Sequence, residues 1–209
     1  MKIGFIGVGN MGGPMCRNII RNTNHEVIVF DLSAGALKEC TDLGATAAAS
    51  VADLASRCDV VITSLPMPKI VEEVALGAGG IAENAKKGSV FIDLSTNSPA
   101  TAKRVAEGMR AKGIPMLEAP VSGGTARAKD GTIVIMAGGD EAVYEQQLPL
   151  LKSFSGEVVH GHAAEAVGEK GAPRRGDDPL TDAAFDREVV HPRLITLHRP
   201  SASPIRWKL

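Results

Sequence analysis

Three glycines near the amino terminus are spaced for one kind of chemistry. In Lys2-Ile-Gly-Phe-Ile-Gly7-Val-Gly9-Asn10-Met11-Gly12 an apolar run enters a Gly-x-Gly-x-x-Gly turn, and an amphipathic stretch over 11–21 leaves it. Placed between a strand and a helix, that turn suits a diphosphate. Gly7 permits the tight turn. Gly9 lets a phosphate approach the backbone where a Cβ would otherwise stand. Gly12 lets the helix pack close to its strand. Asn10 and Met11 lead into the helix, whose free N–H groups and positive dipole end face the anion. The next strand-like run, 26–30, ends in Asp31, 24 residues beyond Gly7. A carboxylate there accepts hydrogen bonds from ribose hydroxyls and repels a 2′-phosphate. No arginine follows, only Leu32-Ser33-Ala34. The expected ligand is therefore NAD rather than NADP. The other role open to Asp31 is to cap the helix that follows, a task Ser33 can take instead.

Two further strand ends belong to the same rim. Asp59-Val-Val-Ile-Thr-Ser-Leu65-Pro66 reads as a buried strand ending in a proline turn, and Phe91-Ile-Asp93-Leu-Ser95-Thr96 repeats the pattern. Ligands of open parallel sheets bind outside the carboxyl ends of the strands, so Leu65, Pro66 and Thr96 are expected to face the cofactor. Thr96 can equally cap the helix that starts near Pro99. A second site is expected at Pro120-Val-Ser122-Gly123-Gly124, where consecutive N–H groups and one hydroxyl suit a substrate carboxylate. By itself this stretch also reads as an ordinary glycine-rich helix start.

The elements that must carry these residues alternate. Strand-like runs fall at 2–7, 26–30, 59–65, 89–93, 116–118, 132–137 and 157–160. Helical patterns fall at 11–21, 34–43, 51–56, 68–74, 99–111 and 141–154. The alternation predicts an α/β fold with a doubly wound, mostly parallel Rossmann sheet over residues 1–160. Residues 161–209 are a separate case. From 166 onward the chain holds five of its 12 prolines. Prolines at 173, 179, 192, 200 and 204 forbid a long helix, although a short strand fits 193–197. An irregular, poorly packed tail is expected there.

Composition closes other routes. Lys and Arg total 23 against 24 Asp and Glu, which leaves no basic footprint for nucleic acid or an anionic membrane surface. At 3% aromatic residues there is no base-stacking platform. No apolar run approaches the roughly 18–20 residues of a membrane span. Cys16, Cys40 and Cys58 are too few and too widely spaced for a disulfide framework or a zinc site. They point to a reducing compartment, and the first strand begins at Lys2. The expected location is cytoplasmic, or mitochondrial if a leader precedes this sequence. Cys16 reads as a small core residue, and His160-Gly-His162 offers two metal ligands without a third.

Taken together, Gly7-Val-Gly-Asn-Met-Gly12-Gly-Pro-Met15, Ser64-Leu-Pro66, Asp93-Leu-Ser-Thr96 and Ala119-Pro-Val-Ser-Gly-Gly124 closely resemble the β-hydroxyacid dehydrogenase family, over residues 1–160. The resemblance implies NAD held by the residues named above and a small 3-hydroxy acid held by Ser122, Gly123 and Gly124. It implies reversible oxidation of that acid to its semialdehyde, as in the members that act on 3-hydroxyisobutyrate in valine degradation. Reduction of tartronate semialdehyde or glyoxylate is the alternative activity, and a non-catalytic dinucleotide-binding module is the alternative of another class. The family's general acid/base is a lysine at a glycine-rich helix start followed by an asparagine pair. Lys170 lies near that place by count, but Gly171 and Pro173 follow it, and no asparagine occurs after Asn97. The catalytic role is therefore not carried over to Lys170, no catalytic residue is named, and impaired turnover is expected. The family homo-oligomer rests on a helical part that residues 166–209 do not match. Their composition looks like an out-of-frame translation or an alternative end.

Overall fold

A computed structural model describes residues 1–161. Lys170, His162, the strand expected at 193–197 and the expected tail lie outside the described residues. The chain runs β1 (Lys2–Ile6), α1 (Gly12–Asn22), β2 (Glu26–Phe30), α2 (Ala34–Thr41), β3 (Thr46–Ala47), α3 (Val51–Arg57), β4 (Val60–Thr63), α4 (Pro68–Leu76) and α5 (Ile81–Asn84). It continues with β5 (Val90–Asp93), α6 (Pro99–Ala111), β6 (Met116–Glu118), β7 (Val121–Ser122), α7 (Gly124–Asp130), β8 (Val134–Gly139), α8 (Glu141–Lys152) and β9 (Glu157–Gly161).

Six strands pair in parallel in the order β3-β2-β1-β4-β5-β6, the doubly wound order expected of a dinucleotide fold. β8 runs antiparallel to β6 and β7, and β9 pairs with β8 in parallel. Alternation along each strand feeds two cores. Phe5 of β1 shares a core with Cys16 and Ile19 of α1, Leu151 of α8 and Phe154 on one face. Ile6 shares a core with Leu54 of α3, Val71 of α4 and Met109 of α6 on the other. Burial on both faces explains why β1, β4 and β5 are apolar on successive residues.

Local signals set the helix starts. Ser33, Ser50, Ser98 and Asp140 accept hydrogen bonds from the amides of Ala36, Asp53, Thr101 and Val143, and Pro68 and Pro99 occupy first-turn positions. α1 has no side-chain cap. Several short elements escaped the periodicity. β3 is two exposed residues at an edge, α5 is a single turn, and β7 continues the line of β6 past Pro120, whose carbonyl accepts from the Met136 amide. The strand expected at 132–137 begins two residues later. Gly131 ends α7 in a left-handed conformation, and the Thr132 amide closes that turn on the Arg127 carbonyl.

One buried side chain joins the two regions that the sequence marks for binding. Asn18 of α1 donates from Nδ2 to the Ala128 carbonyl at 2.9 Å, meeting one of the last free carbonyls of α7. Asn18→Ala leaves that buried carbonyl unpaired, and urea unfolding is expected to show a loss of about 1–3 kcal/mol. A change below about 0.5 kcal/mol, the range of a surface substitution, would show that the bond does not matter.

Candidate functional site

α1 departs to one face of the sheet and α4 to the other, so the turns after the adjacent strands β1 and β4 diverge. Between them opens a cleft of about 930 Å³. Gly7, Gly9, Asn10, Met11, Gly12, Asp31, Leu65, Pro66 and Thr96 all line it. Ser122, Gly123 and Gly124 do not. Their neighbour Val121 does, which puts that exposed loop at the cleft's edge. Ser122 lies at the end of β7, opposite Val134, and α7 starts two residues later at Gly124.

The first turn is fixed by close contacts. Gly7 has φ +87°, and its amide donates to the Phe30 carbonyl at 2.9 Å. A Cβ on Gly12 would collide with the carbonyl oxygen of Gly7 and crowd the Phe5 ring. Gly9 differs, because a Cβ there meets no atom within 4 Å. The protein itself leaves that space open, directly before the uncapped start of α1, where the amides of Asn10, Met11 and Gly12 have no partner among the described residues. The residues present therefore fit a diphosphate.

Asp31 does not cap α2; Ser33 does. Asp31 instead accepts from the Val8 amide at Oδ2 and the Ser33 amide at Oδ1, both at 2.8 Å. A carboxylate has about four lone-pair positions, so two remain for ribose hydroxyls. Thr96 is likewise not a cap, since Ser98 begins α6.

The sequence reading missed the group that holds the second rim. Asp93, fully buried at the end of β5, accepts from Thr63 Oγ1 at 2.7 Å, the Ser95 amide at 3.0 Å and Asn97 Nδ2 at 2.6 Å. The Ser95 hydroxyl in turn accepts from the Leu65 amide at 2.9 Å. One carboxylate thus sets the turns carrying Leu65, Pro66 and Thr96. Burial pushes the Asp93 carboxyl above its usual range, against the hydrogen bonds from Ser95, Thr63 and Asn97. Glu118, its half-buried register partner on β6, is also raised, first by burial and then by the Asp93 charge. A polar residue closing an otherwise apolar strand was the available signal for Asp93.

The remaining candidates are structural in setting. Cys16 is buried, and hydrogen bonding with Cys40, then burial, raise its thiol. Burial pushes Cys58 up to about 11. The His160 ring stacks on Tyr144 at 4.1 Å. Among the described residues no group of three or more metal-ligating side chains is found, and no helix is long and apolar enough to cross a membrane.

Comparison with known proteins agrees with this geometry. Residues 2–161 match the family described as the NAD binding domain of 6-phosphogluconate dehydrogenase. The chain is 39% identical over 172 residues to 2-(hydroxymethyl)glutarate dehydrogenase of Eubacterium barkeri, covering 82% of this chain and 55% of that one. It is 39% identical over 158 residues to human mitochondrial 3-hydroxyisobutyrate dehydrogenase, covering 76% and 47%. Among solved structures, Mycobacterium tuberculosis 3-hydroxyisobutyrate dehydrogenase with L-serine is similar at 34% identity and a TM-score of 0.74, covering 78% and 55%. The chain spans about half the length of these relatives.

The contrast between glycines is testable. Gly12→Ala forces backbone apart and is expected to cost about 1–3 kcal/mol in denaturant unfolding. Gly9→Ala is expected to leave unfolding within about 0.5 kcal/mol while weakening dinucleotide binding at least tenfold. Equal stability losses in the two variants would contradict the assignment of Gly9 to ligand space. Glu118 gives a pH test. Its neutral form is favoured in the folded state, so its contribution is full below about pH 4.3, the ordinary carboxylate value, and is lost as pH rises through the raised folded value. Glu118→Gln should gain stability relative to wild type as pH climbs from about 4.5 toward neutrality. Parallel curves of melting temperature against pH would refute this.

Proposed function

The chain belongs to the family of the NAD binding domain of 6-phosphogluconate dehydrogenase, a family of oxidoreductases, and from that premise we propose that residues 1–160 hold NAD across the β1/β4 crevice as the cofactor domain of a 3-hydroxyacid dehydrogenase. The observation that carries this reading is the empty volume at Gly9 before the uncapped start of α1. The amides of the 7–12 turn take the diphosphate, with the helix dipole behind them. Asp31 takes the adenosine ribose and disfavours a 2′-phosphate by charge. Leu65, Pro66 and Thr96, set by Asp93 and Ser95, border the nicotinamide end. When bound, the cofactor supplies a hydride acceptor.

Ser122, Gly123 and Gly124 lie beside Val121 at the cleft's edge and receive the carboxylate of a small hydroxy acid. 3-Hydroxyisobutyrate, converted to its semialdehyde in valine degradation, is the proposed substrate, on the likeness to enzymes bearing that name. The general acid/base that the resemblance calls for, a lysine followed by an asparagine pair, has no counterpart in this sequence. The 209-residue chain therefore binds the dinucleotide with turnover much reduced. The three free, buried cysteines suit a reducing compartment, cytoplasmic or mitochondrial.

A titration of the purified chain with NADH and NADPH, read by nicotinamide fluorescence, tests the reading. NADH is expected to bind at least tenfold tighter, and Asp31→Ala to remove most of that margin. Binding of neither dinucleotide refutes the function. With 3-hydroxyisobutyrate added, NADH formation is expected at a small fraction of the usual 1–10³ s⁻¹ range of enzymes. A rate within that range refutes the impairment. Faster turnover of tartronate semialdehyde or glyoxylate favours the reductase.

A further inference from the structure

The contacts assigned so far leave one charged side chain on the cleft without a task. Asp31 and Glu73 are the charged residues in its lining. Glu73 stands on α4 beside a second acid, and the two have opposite fates. Glu72 is held by Arg104 of α6, with Nε to Oε1 at 2.9 Å and Nη2 to Oε2 at 2.8 Å. The Glu73 carboxylate makes no hydrogen bond or ion pair among the described residues and is exposed in the cleft. Around it the wall is apolar: Ile70, one turn earlier on α4, lies on its helix face, and Val74 and Val51, the first residue of α3, also line the cleft.

This is the composition of a site for a flat heteroaromatic ring, with apolar walls and one polar group to fix orientation. On the reading that the cleft holds NAD, the diphosphate lies at α1 and the ribose at Asp31, on the end of β2. The base then turns to the face of the sheet walled by α3 and α4, opposite the face on which α1 packs. We propose that Glu73 reads that base, its carboxylate accepting a hydrogen bond from the exocyclic 6-amino group of adenine. The consequence is specificity. A 6-oxo purine in the same place would point a carbonyl oxygen at the carboxylate, setting acceptor against acceptor, whereas adenine offers a donor. A site built to hydrogen-bond one group rejects an analogue lacking it more strongly than an apolar pocket rejects a change of size.

The assignment rests on the NAD reading and is tested separately from it. Dissociation constants are measured by fluorescence for NADH and for reduced nicotinamide hypoxanthine dinucleotide, with the whole chain as wild type, Glu73→Ala and Glu73→Gln. Circular dichroism monitors folding, and Glu73 is exposed, so the variants keep the fold. The wild type is expected to prefer NADH about tenfold. Glu73→Ala should bring the ratio near one. Glu73→Gln, whose amide can donate to a 6-oxo group, should bring it to one or below by tightening the hypoxanthine dinucleotide. Equal affinities in the wild type, or a ratio unchanged in Glu73→Ala, overturn the adenine assignment and leave the NAD reading standing. Binding of neither dinucleotide to the wild type overturns both.

Discussion

Everything in this site depends on how closely α1 can follow β1. Five residues separate Ile6 from Gly12, and in that space the chain must leave the sheet, turn and begin a helix whose amides point back over the strand end. The approach is so close that the Gly12 Cα lies against the Gly7 carbonyl, with no volume for a methyl group. Gly7 meets the other half of the constraint, with a positive φ that other residues adopt at a cost. Once the turn is that tight, the Gly13 amide closes on the Gly9 carbonyl at 2.8 Å and Pro14 has no N–H, while the amides of Asn10, Met11 and Gly12 have no partner among the described residues. An anion is the partner the geometry leaves available.

The second rim is held by electrostatics rather than by steric closeness. β4 and β5 end side by side, with Thr63 and Asp93 in register. Taking a carboxylate out of water is expensive unless hydrogen bonds replace the hydration. Here a hydroxyl, an amide and a side-chain amide do so, and the same groups fix the loop beyond β5. The upward push on the Asp93 carboxyl records that burial still outweighs those bonds. The local cost is offset by the shape it imposes: Ser95 is placed to catch the Leu65 amide, and two loops from different strands are tied together. Glu118, lying next to this group with no side-chain hydrogen bond among the described residues, adds charge to a region that disfavours it.

What could be seen in advance follows from the range of each interaction. The 7–12 turn and Asp31 were legible because their requirements are local: a glycine spacing, a strand before it, an acid at the next strand end. The central parallel strands were legible because burial on both faces leaves an unbroken apolar run. β3, α5 and β7 were not, because each is too short for a period to register. The antiparallel pairing of β8 depends on a crossover that no local signal specifies. Asp93 was read only as a strand end, since its role comes from Thr63, 30 residues away, and from Ser95 reaching back to the β4 turn. The Ser122 loop was legible as a cluster of amides, but its distance from the cleft lining was not, because that depends on β7 extending β6 past Pro120. The motif assigns Gly7 and Gly12 to the chain and Gly9 to the ligand, and packing adds the distances: a Cβ would collide at positions 7 and 12 and meets no atom within 4 Å at position 9.

The acids around the cleft can then be sorted by what the fold has already used. Asp93 gives its hydrogen-bonding capacity to the protein, and its burial removes it from any ligand. Glu72 is closed by the fork of Arg104. Asp31 is half used: two backbone amides orient its carboxylate and leave lone pairs facing outward. Such a group is pre-organised, since its position does not depend on the ligand arriving. Among the described residues the Glu73 carboxylate has no partner, and its place is set by α4, which has Pro68 in its first turn. These differences predict a division of labour along the cleft. Rigid groups, the 7–12 amides and Asp31, supply most of the affinity because little entropy is lost at them on binding. An exposed carboxylate such as that of Glu73 contributes less to affinity and more to discrimination, because its cost of ordering is met only by a partner that offers it a proton to accept.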